Sequence, residues 1–171
     1  HRRPRCCTLC PYTTLFRSDS NAFCVKQLNE KIAIMRQDPV LFNDTLRNNL
    51  TMYRDMCDDE LIALLQKLNL HKFATPEGLD SMIREGGSNL SGGERKRIAL
   101  ARTLLRKAPI TIIDEPLANV DSETAEKIED ILTELSGGIV FVITHHFSDD
   151  KKKAFAKEFS FSHSRVEQGG I

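Results

Sequence analysis

Two short, largely apolar runs limit how this chain of 171 residues can fold. The first covers residues 110–114 and the second residues 139–144, and both have the length and composition of buried strands. Between them, apolar residues recur at helical spacing from Ile128 to Leu135. A strand, a helix and a second strand in this order predict an α/β fold with a parallel sheet and right-handed crossovers. We expect both strands to be buried on their two faces.

A long helix is predicted immediately before the first run. Ser91 and Glu94 form the Ser-x-x-Glu capping box, which satisfies two otherwise unpaired backbone groups at a helix start. The helix should therefore begin at Ser91 and stop near Lys107, because Pro109 cannot continue it.

The leucine-rich stretch before that helix predicts a small helical subdomain over residues about 45–105. Asp58 is expected to cap a helix that runs to about Leu68. Residues 75–89, rich in Gly, Ser and Pro, are typical of a loop.

The remaining elements are shorter. Residues 31–36 are typical of a strand that leads into Gln37, and Asp121 or Ser122 is expected to cap the helix before the second apolar run. After that run the sequence predicts a short polar helix over residues 147–156 and a weak strand pair around residues 159–166.

Composition excludes several classes of protein. Formal net charge is zero and lysine and arginine are scattered, so nucleic acid is not expected as the main partner. Five cysteines without a secretory signal pattern argue against a disulfide framework. The longest apolar run is far too short to cross a membrane, so if the protein serves a membrane process, the spanning segments lie elsewhere.

Two motifs have the composition that phosphate chemistry needs. Gly92 and Gly93 open a helix, where backbone N–H groups can approach a phosphate closely and the helix dipole favours negative charge. Asp114 and Glu115 end an apolar strand, where one carboxylate can hold Mg²⁺ and the other can act on a water molecule. Taken one at a time, these are also consistent with a capped helix and two solvated acids.

Together these motifs resemble those of the ATP-binding-cassette (ABC) ATPases. Residues 90–94 (Leu-Ser-Gly-Gly-Glu) resemble the signature motif, and residues 110–115 resemble the Walker B strand. Residues 116–121 resemble the D-loop, although Asn119 and Val120 differ from the small polar residues usual at those positions. The resemblance implies a P-loop NTPase-like parallel sheet core with a helical signature subdomain.

Two further positions complete the resemblance. His145 follows the second predicted strand, as the switch histidine of the family does, whereas the adjacent His146 is interpreted as incidental. Gln37, followed by Asp-Pro-Val-Leu-Phe-Asn-Asp-Thr, resembles the Q-loop of exporter-type subunits.

The resemblance assigns roles to these residues. It implies that ATP and Mg²⁺ are bound, with Asp114 and Gln37 at the metal, Glu115 polarising the hydrolytic water and His145 contacting the γ-phosphate. Contacts to the nucleotide are implied for four more residues, namely Ser91, Gly92, Gly93 and Asp121. Ser91 to Gly93 would contact ATP held by the opposite subunit.

The same resemblance implies the partners. They are a second ABC ATPase domain, arranged head to tail, and the transmembrane domain of a transporter, with the ATPase at the cytoplasmic face of the cell membrane. The function implied is ATP hydrolysis that powers transport, and the sequence that follows Gln37 favours export.

One half of the expected machinery is missing from the sequence. No Gly-x-x-x-x-Gly-Lys-Ser/Thr occurs in it, so we interpret the chain as a partial domain, residues 19–171, without its N-terminal strands and phosphate loop. Residues 11–18 resemble a translated sequencing-adapter end, and we interpret residues 1–18 as non-native. A rival reading makes Cys7-x-x-Cys10 part of a metal knuckle.

Two other functions are compatible with part of this pattern. A non-transport ABC ATPase acting on DNA would share the Ser-Gly-Gly-Glu and Asp-Glu motifs. Such proteins carry long coiled-coil insertions between the Q-loop and the signature, whereas only about 54 residues separate Gln37 from Ser91 here. A non-hydrolysing interaction module is the third reading.

Overall fold

Three parallel strands form the central sheet in this computed structural model, which describes residues 30–162 and 165–169. The strand order is β1 (Ile32–Met35), β4 (Ile110–Asp114) and β5 (Ile139–Ile143). Ile34 pairs with Ile112, and Ile112 pairs with Phe141, which fixes the register of the three strands. The predicted parallel α/β sheet is confirmed.

Two long helices connect and cover these strands. α4 (Gly92–Leu105) leads into β4, and α5 (Ser122–Glu134) joins β4 to β5. The apolar sides of both helices are buried against one face of the sheet. The buried residues of the helices and the sheet include Ala33, Met35, Ile98, Leu100, Ala101, Leu105, Ile113, Ile128 and Leu132.

The prediction that β5 is buried on both faces is wrong. Ile139 and Phe141 are 44% and 42% exposed, while the alternate residues Val140 and Val142 are partly buried against the core. β5 is the edge strand of the described sheet, and the long helices described here cover only one face, so every second side chain of β5 has no layer above it.

Short elements fill the segment between β1 and α4. They are β2 (Asp44–Thr45), α1 (Leu46–Thr51), α2 (Asp58–Lys67), α3 (Pro76–Leu79) and β3 (Met82–Ile83), with 3₁₀ turns at His71–Phe73 and Glu85–Gly87. β2 and β3 pair antiparallel. Leucines from α1 and α2 are fully buried against α4, as the apolar spacing predicts.

Two expectations for this segment are wrong. Asp58 does not cap α2, because Cys57 occupies the cap position without a side-chain hydrogen bond and Asp58 lies in the first turn, paired with Arg47. Residues 75–89 are not only loop, since Thr75 caps α3 with its hydroxyl and Pro76 occupies a first-turn position that tolerates proline.

The last described elements are small. α6 (Asp149–Lys152) is a single turn, so it is shorter than the polar helix predicted over residues 147–156. β6 (Glu158–Ser162) and β7 (Arg165–Gly169) form the predicted antiparallel pair.

Some expectations concern residues that the structure does not describe. The proposed non-native segment 1–18 and the Cys7-x-x-Cys10 knuckle lie outside the described residues. The domain division at residue 19 and the subdomain bounds of about 45 and 105 stay predictions. No helix in the described part is long and apolar enough to span a membrane.

Candidate functional site

A surface cavity of about 350 Å³ opens at the carboxyl edge of the sheet. Gln37, Asp114, Glu115 and His145 all line it. Gln37 follows β1 by two residues, Asp114 ends β4, and His145 follows β5 by two residues. Because parallel strands end at the same edge, three distant parts of the sequence meet in this cavity.

Glu115 is held in an unusual backbone conformation. Its φ is +49°, in the left-handed region, and its N–H donates to the carbonyl of Ile143 at 2.8 Å, which extends the β4–β5 ladder by one bond. A residue with a side chain costs about 1 to 3 kcal/mol in such a conformation, and this strain is typical of functional sites. Its carboxylate side chain is only 13% exposed.

His145 lies beside this carboxylate. Its Nε2 is 3.4 Å from Oε1 of Glu115, while the imidazole remains 88% exposed. The turn that carries it is closed by Thr144, whose hydroxyl donates to the carbonyl of His146 at 2.9 Å and accepts from the N–H of His146 at 3.2 Å. The imidazole therefore contacts the acid on one side and is open on the other.

Three residues of this cavity were not among the predicted site residues. His146, interpreted as incidental, lines it together with Ala118 and Ile143. His146 could have been found from its place beside His145 in the turn after β5. Nothing in the sequence distinguishes Ala118 or Ile143 as lining residues, since small and apolar side chains serve equally in cores.

Ser91 caps α4 in the predicted way. Its hydroxyl accepts from the N–H of Glu94 at 3.2 Å, and its own N–H donates to Glu94 Oε2 at 2.8 Å. Burial raises the pKa of Glu94, but hydrogen bonds from Lys72 and Ser91 outweigh that and hold the pKa below its ordinary value. The predicted capping box is confirmed.

Gly92 and Gly93 differ in their surroundings. A Cβ on Gly92 would approach no atom more closely than 4.0 Å, so this backbone is open to a ligand. A Cβ on Gly93 would lie 3.3 Å from the carbonyl oxygen of Asn119, so the helix start packs against the loop after β4. None of Ser91, Gly92 and Gly93 lines the cavity that contains Asp114 and Glu115.

Asp121 is the N-cap of α5. Its Oδ1 accepts from the N–H of Thr124 at 2.9 Å, and this hydrogen bond is the main reason why the pKa of Asp121 is lowered. The sequence offered Asp121 or Ser122 as the cap, and the structure shows that Asp121 has this role. Its predicted contact with nucleotide stays a prediction.

The donors in the cavity suit magnesium. Asp114 supplies carboxylate oxygens and Gln37 an amide oxygen, and Mg²⁺ prefers such hard ligands while keeping several waters. In the described part of the chain no group of three or more His, Cys, Asp and Glu side chains could enclose a metal ion. A Mg²⁺ ion bound here would therefore take its remaining ligands from water and phosphate oxygens, as Mg²⁺ commonly does in nucleotide-binding sites.

Comparison with known proteins identifies the family. Residues 14–118, more than half of the chain, match the family model described as ABC transporter. An ATP-dependent lipid A-core flippase of Syntrophus aciditrophicus (strain SB) is 42% identical over 125 residues, which are 71% of this chain and 21% of the flippase. ABC transporter C family member 12 of Dictyostelium discoideum is 40% identical over 129 residues, which are 74% of this chain and 10% of that protein.

A solved structure agrees with these sequences. A bacterial Atm1-family ABC exporter with ATP bound superposes with a TM-score of 0.72 at 30% identity, over 84% of this chain and 26% of the exporter chain. The chain thus spans about a quarter or less of each of these relatives. These matches agree with the order of the motifs and with the cavity that brings together Gln37, Asp114, Glu115 and His145. The chain belongs to the ABC transporter family.

Proposed function

We propose that this chain is part of the ATP-hydrolysing domain of an ABC transporter that drives export across a membrane. The observation that carries the proposal is the cavity that joins Gln37, Asp114, Glu115 and His145 at one edge of the sheet. These side chains supply an amide, two carboxylates and an imidazole within one space of about 350 Å³. Phosphoryl transfer to water needs such groups for positioning and charge neutralisation.

Each residue has a separate task in this proposal. Asp114 and Gln37 hold Mg²⁺, which when bound neutralises charge on the phosphate oxygens. Glu115, next to His145 at 3.4 Å, orients the attacking water through a hydrogen bond and takes its proton as the water oxygen attacks. The exposed side of His145 donates to an oxygen of the γ-phosphate. The strained backbone of Glu115 fixes its carboxylate before substrate arrives.

Ser91, Gly92 and Gly93 serve a second nucleotide site. The hydroxyl of Ser91 accepts from Glu94, so its O–H remains available to donate to a phosphate oxygen. The open backbone at Gly92 and the start of α4 add N–H groups and the positive end of a helix dipole. Because these groups lie outside the cavity of Asp114, we propose that they act on ATP held by a second domain arranged head to tail, with Asp121 beside that interface.

The proposed membrane partner follows from the relatives. Their names describe a flippase, an ABC transporter and an exporter, so we propose that this domain works with a transmembrane domain at the cytoplasmic face of the cell membrane. The loop after Gln37 is the proposed contact. Nucleic acid is not expected as a partner.

The DNA-acting alternative is not favoured. Between Gln37 and Ser91 the longest described helix is α2, with ten residues, and the segment folds back onto α4. A coiled-coil insertion would need several consecutive heptads. The non-hydrolysing reading applies to the chain by itself, because its sequence has no Gly-x-x-x-x-Gly-Lys-Ser/Thr, and we expect no measurable ATP hydrolysis from it alone.

Substitution of Glu115 tests the proposal in a full-length transporter that carries this domain. Glu115→Gln should leave ATP affinity within about threefold and lower kcat by about 10²- to 10⁴-fold, because the amide cannot accept a proton from water. ATP binding and steady-state phosphate release are the two measurements. Glu123→Gln is the control, since Glu123 is 74% exposed on α5 and its partner among the described residues is Lys127. Turnover like that of the unsubstituted protein would remove Glu115 from this role.

A further inference from the structure

Glu129 is a buried acid that the proposed reaction does not use. It lies on α5, and its side chain is only 6% exposed. Both carboxylate oxygens accept hydrogen bonds from one residue, Ser148, with Oε1 2.9 Å from the backbone N and Oε2 2.7 Å from Oγ. A buried carboxylate is costly unless it is hydrogen-bonded, so the structure commits this group to Ser148.

The cation near Glu129 is mostly engaged elsewhere. Nζ of Lys151 is 3.7 Å from Oε2 of Glu129, but it is 2.7 Å from Asp130 and donates to the carbonyl of Glu126 at 2.9 Å. Hydrogen bonds shorten when they are strong, and both bonds to Ser148 are shorter than this contact. Ser148 is therefore the main partner of Glu129.

Ser148 does not use its hydroxyl in the usual way. It occupies the N-cap position of α6, where a serine hydroxyl commonly accepts from the helix backbone, yet no such bond is formed. The hydroxyl donates to Glu129 instead. The two bonds to Glu129 therefore hold Ser148, which ends the turn before α6, against α5.

That turn carries His145. It is tied at its start by the hydroxyl of Thr144, which contacts the backbone of His146, and at its end by Glu129 through Ser148. The imidazole of His145 contributes little to holding this turn, because it is 88% exposed and, among the described residues, its ion-pair contact is with Glu115. These two contacts hold the backbone around His145 and so limit where its imidazole can lie.

We propose that Glu129 is a positioning residue that sets the place of His145 relative to Glu115, acting through Ser148. The inference rests on the proposed function of His145 in ATP hydrolysis. A rival anchor in the same segment is Phe147, whose ring packs edge-on against Phe155 with centroids 5.5 Å apart. Phe147 also packs against the hydrophobic core, but apolar packing is not directional. Glu129 instead makes directional hydrogen bonds to both the backbone and the side chain of Ser148.

Kinetics of the full-length transporter give the first test. Glu129→Met, which removes both acceptors at similar volume, should lower kcat for ATP by about 10- to 100-fold with KM within about twofold, since misplacing a group by 1 Å can cost about 100-fold. Glu129→Gln should keep at least about half of kcat, because its carbonyl accepts from the Ser148 N–H. Glu126→Met, exposed on the same helix, is the control. Equal losses in the Met and Gln variants would overturn the proposal.

A double substitution separates positioning from general damage. In a His145→Ala background, Glu129→Met should lower kcat by no more than about twofold further, because the residue that it positions is already gone. The same large loss in both backgrounds would show that Glu129 acts independently of His145, and it would overturn the proposal.

Backbone dynamics of the 171-residue chain test the anchor without any need for turnover. In Glu129→Met, the ¹⁵N order parameters of His145 and His146 should fall from about 0.85 to below about 0.6, while those of β5 stay high. Glu129→Gln and Glu126→Met should resemble the unsubstituted chain. If the full-length protein does not hydrolyse ATP, the proposed function fails while this measurement still decides the anchor. Unchanged order parameters in Glu129→Met would overturn it.

Discussion

Ser91 shows how one small side chain can serve both the fold and a ligand. A hydroxyl has one donor and two acceptor positions, and capping of α4 uses only an acceptor. The O–H of Ser91 remains available for the proposed contact with phosphate. The capping role follows from sequence alone, because the Ser-x-x-Glu spacing fixes both partners within one turn. The proposed ligand role depends on the approach of another domain.

The capping role can be measured separately. Ser91→Ala should lower the free energy of unfolding by about 1 kcal/mol, because the N–H of Glu94 loses its acceptor at the helix start. Ser91→Asn should recover most of that loss, since asparagine is an equally good cap. Urea titration followed by far-UV circular dichroism gives both values. Ser136→Ala, at an exposed position, is the control, and an alanine variant as stable as the starting chain would contradict the prediction.

At the scale of elements, Arg102 ties α4 to the segment that follows Gln37. Its guanidinium donates to the carbonyls of Val40 and Asn49 and to Oδ1 of Asn49, at distances of 2.7 to 3.0 Å. Burial lowers the pKa of Arg102, and among the described residues no carboxylate pairs with it. Asn49, itself fully buried, in turn holds the backbone of Phe42 through both amide atoms.

Removal of this tie should be costly. Arg102→Met should lower the free energy of unfolding by about 2 to 3 kcal/mol, because three hydrogen bonds from a charged donor to the oxygens of Val40 and Asn49 are lost. Arg102→Lys should recover only part of this, since a compact ammonium cannot span the three oxygens. Denaturant unfolding is the measurement, and Arg36→Met at an exposed site is the control, expected within about 0.5 kcal/mol. A lysine variant as stable as the starting chain would contradict the proposed geometry.

At the scale of the whole molecule, the described sheet has one covered and one open face. On the open face Ile112 of β4 pairs with Ile34 of β1 on one side and with Phe141 of β5 on the other. The side chains of Ile34 and Phe141 are 56% and 42% exposed. Parallel sheets are normally covered on both faces, and an apolar edge strand such as β5 also offers unpaired backbone groups. An open apolar face of this kind favours association between copies of the 171-residue chain.

Sedimentation velocity can test that expectation. The chain should self-associate at micromolar concentration, and Phe141→Gln should weaken the association about tenfold, because burial of a phenylalanine contributes about 1.5 kcal/mol or more. Met82→Gln is the matched control, since Met82 is 55% exposed but lies on β3, which is not part of the central sheet. A monomeric chain at 100-fold higher concentration would contradict the prediction.

Sequence alone determined what is local in this protein. The capping box at Ser91, the cap at Asp121 and the two apolar strands depend on neighbours a few residues apart, and their spacing predicts them. The parallel order was also predictable, because a strand, a helix and a strand leave few topologies open. The convergence of Asp114, Glu115 and His145 follows from that order, since parallel strands end at one edge.

Tertiary structure decided what depends on distant surroundings. The left-handed backbone of Glu115 arises where its N–H meets Ile143, 28 positions further along the chain, and no local rule predicts a glutamate there. The open face of β5 depends on which layers lie over the sheet, not on the apolar sequence of the strand. The commitment of Glu129 to Ser148 likewise needs α5 and the turn after β5 to be packed together. Burial and hydrogen-bond partners belong to the folded arrangement, because they are set by residues remote in sequence.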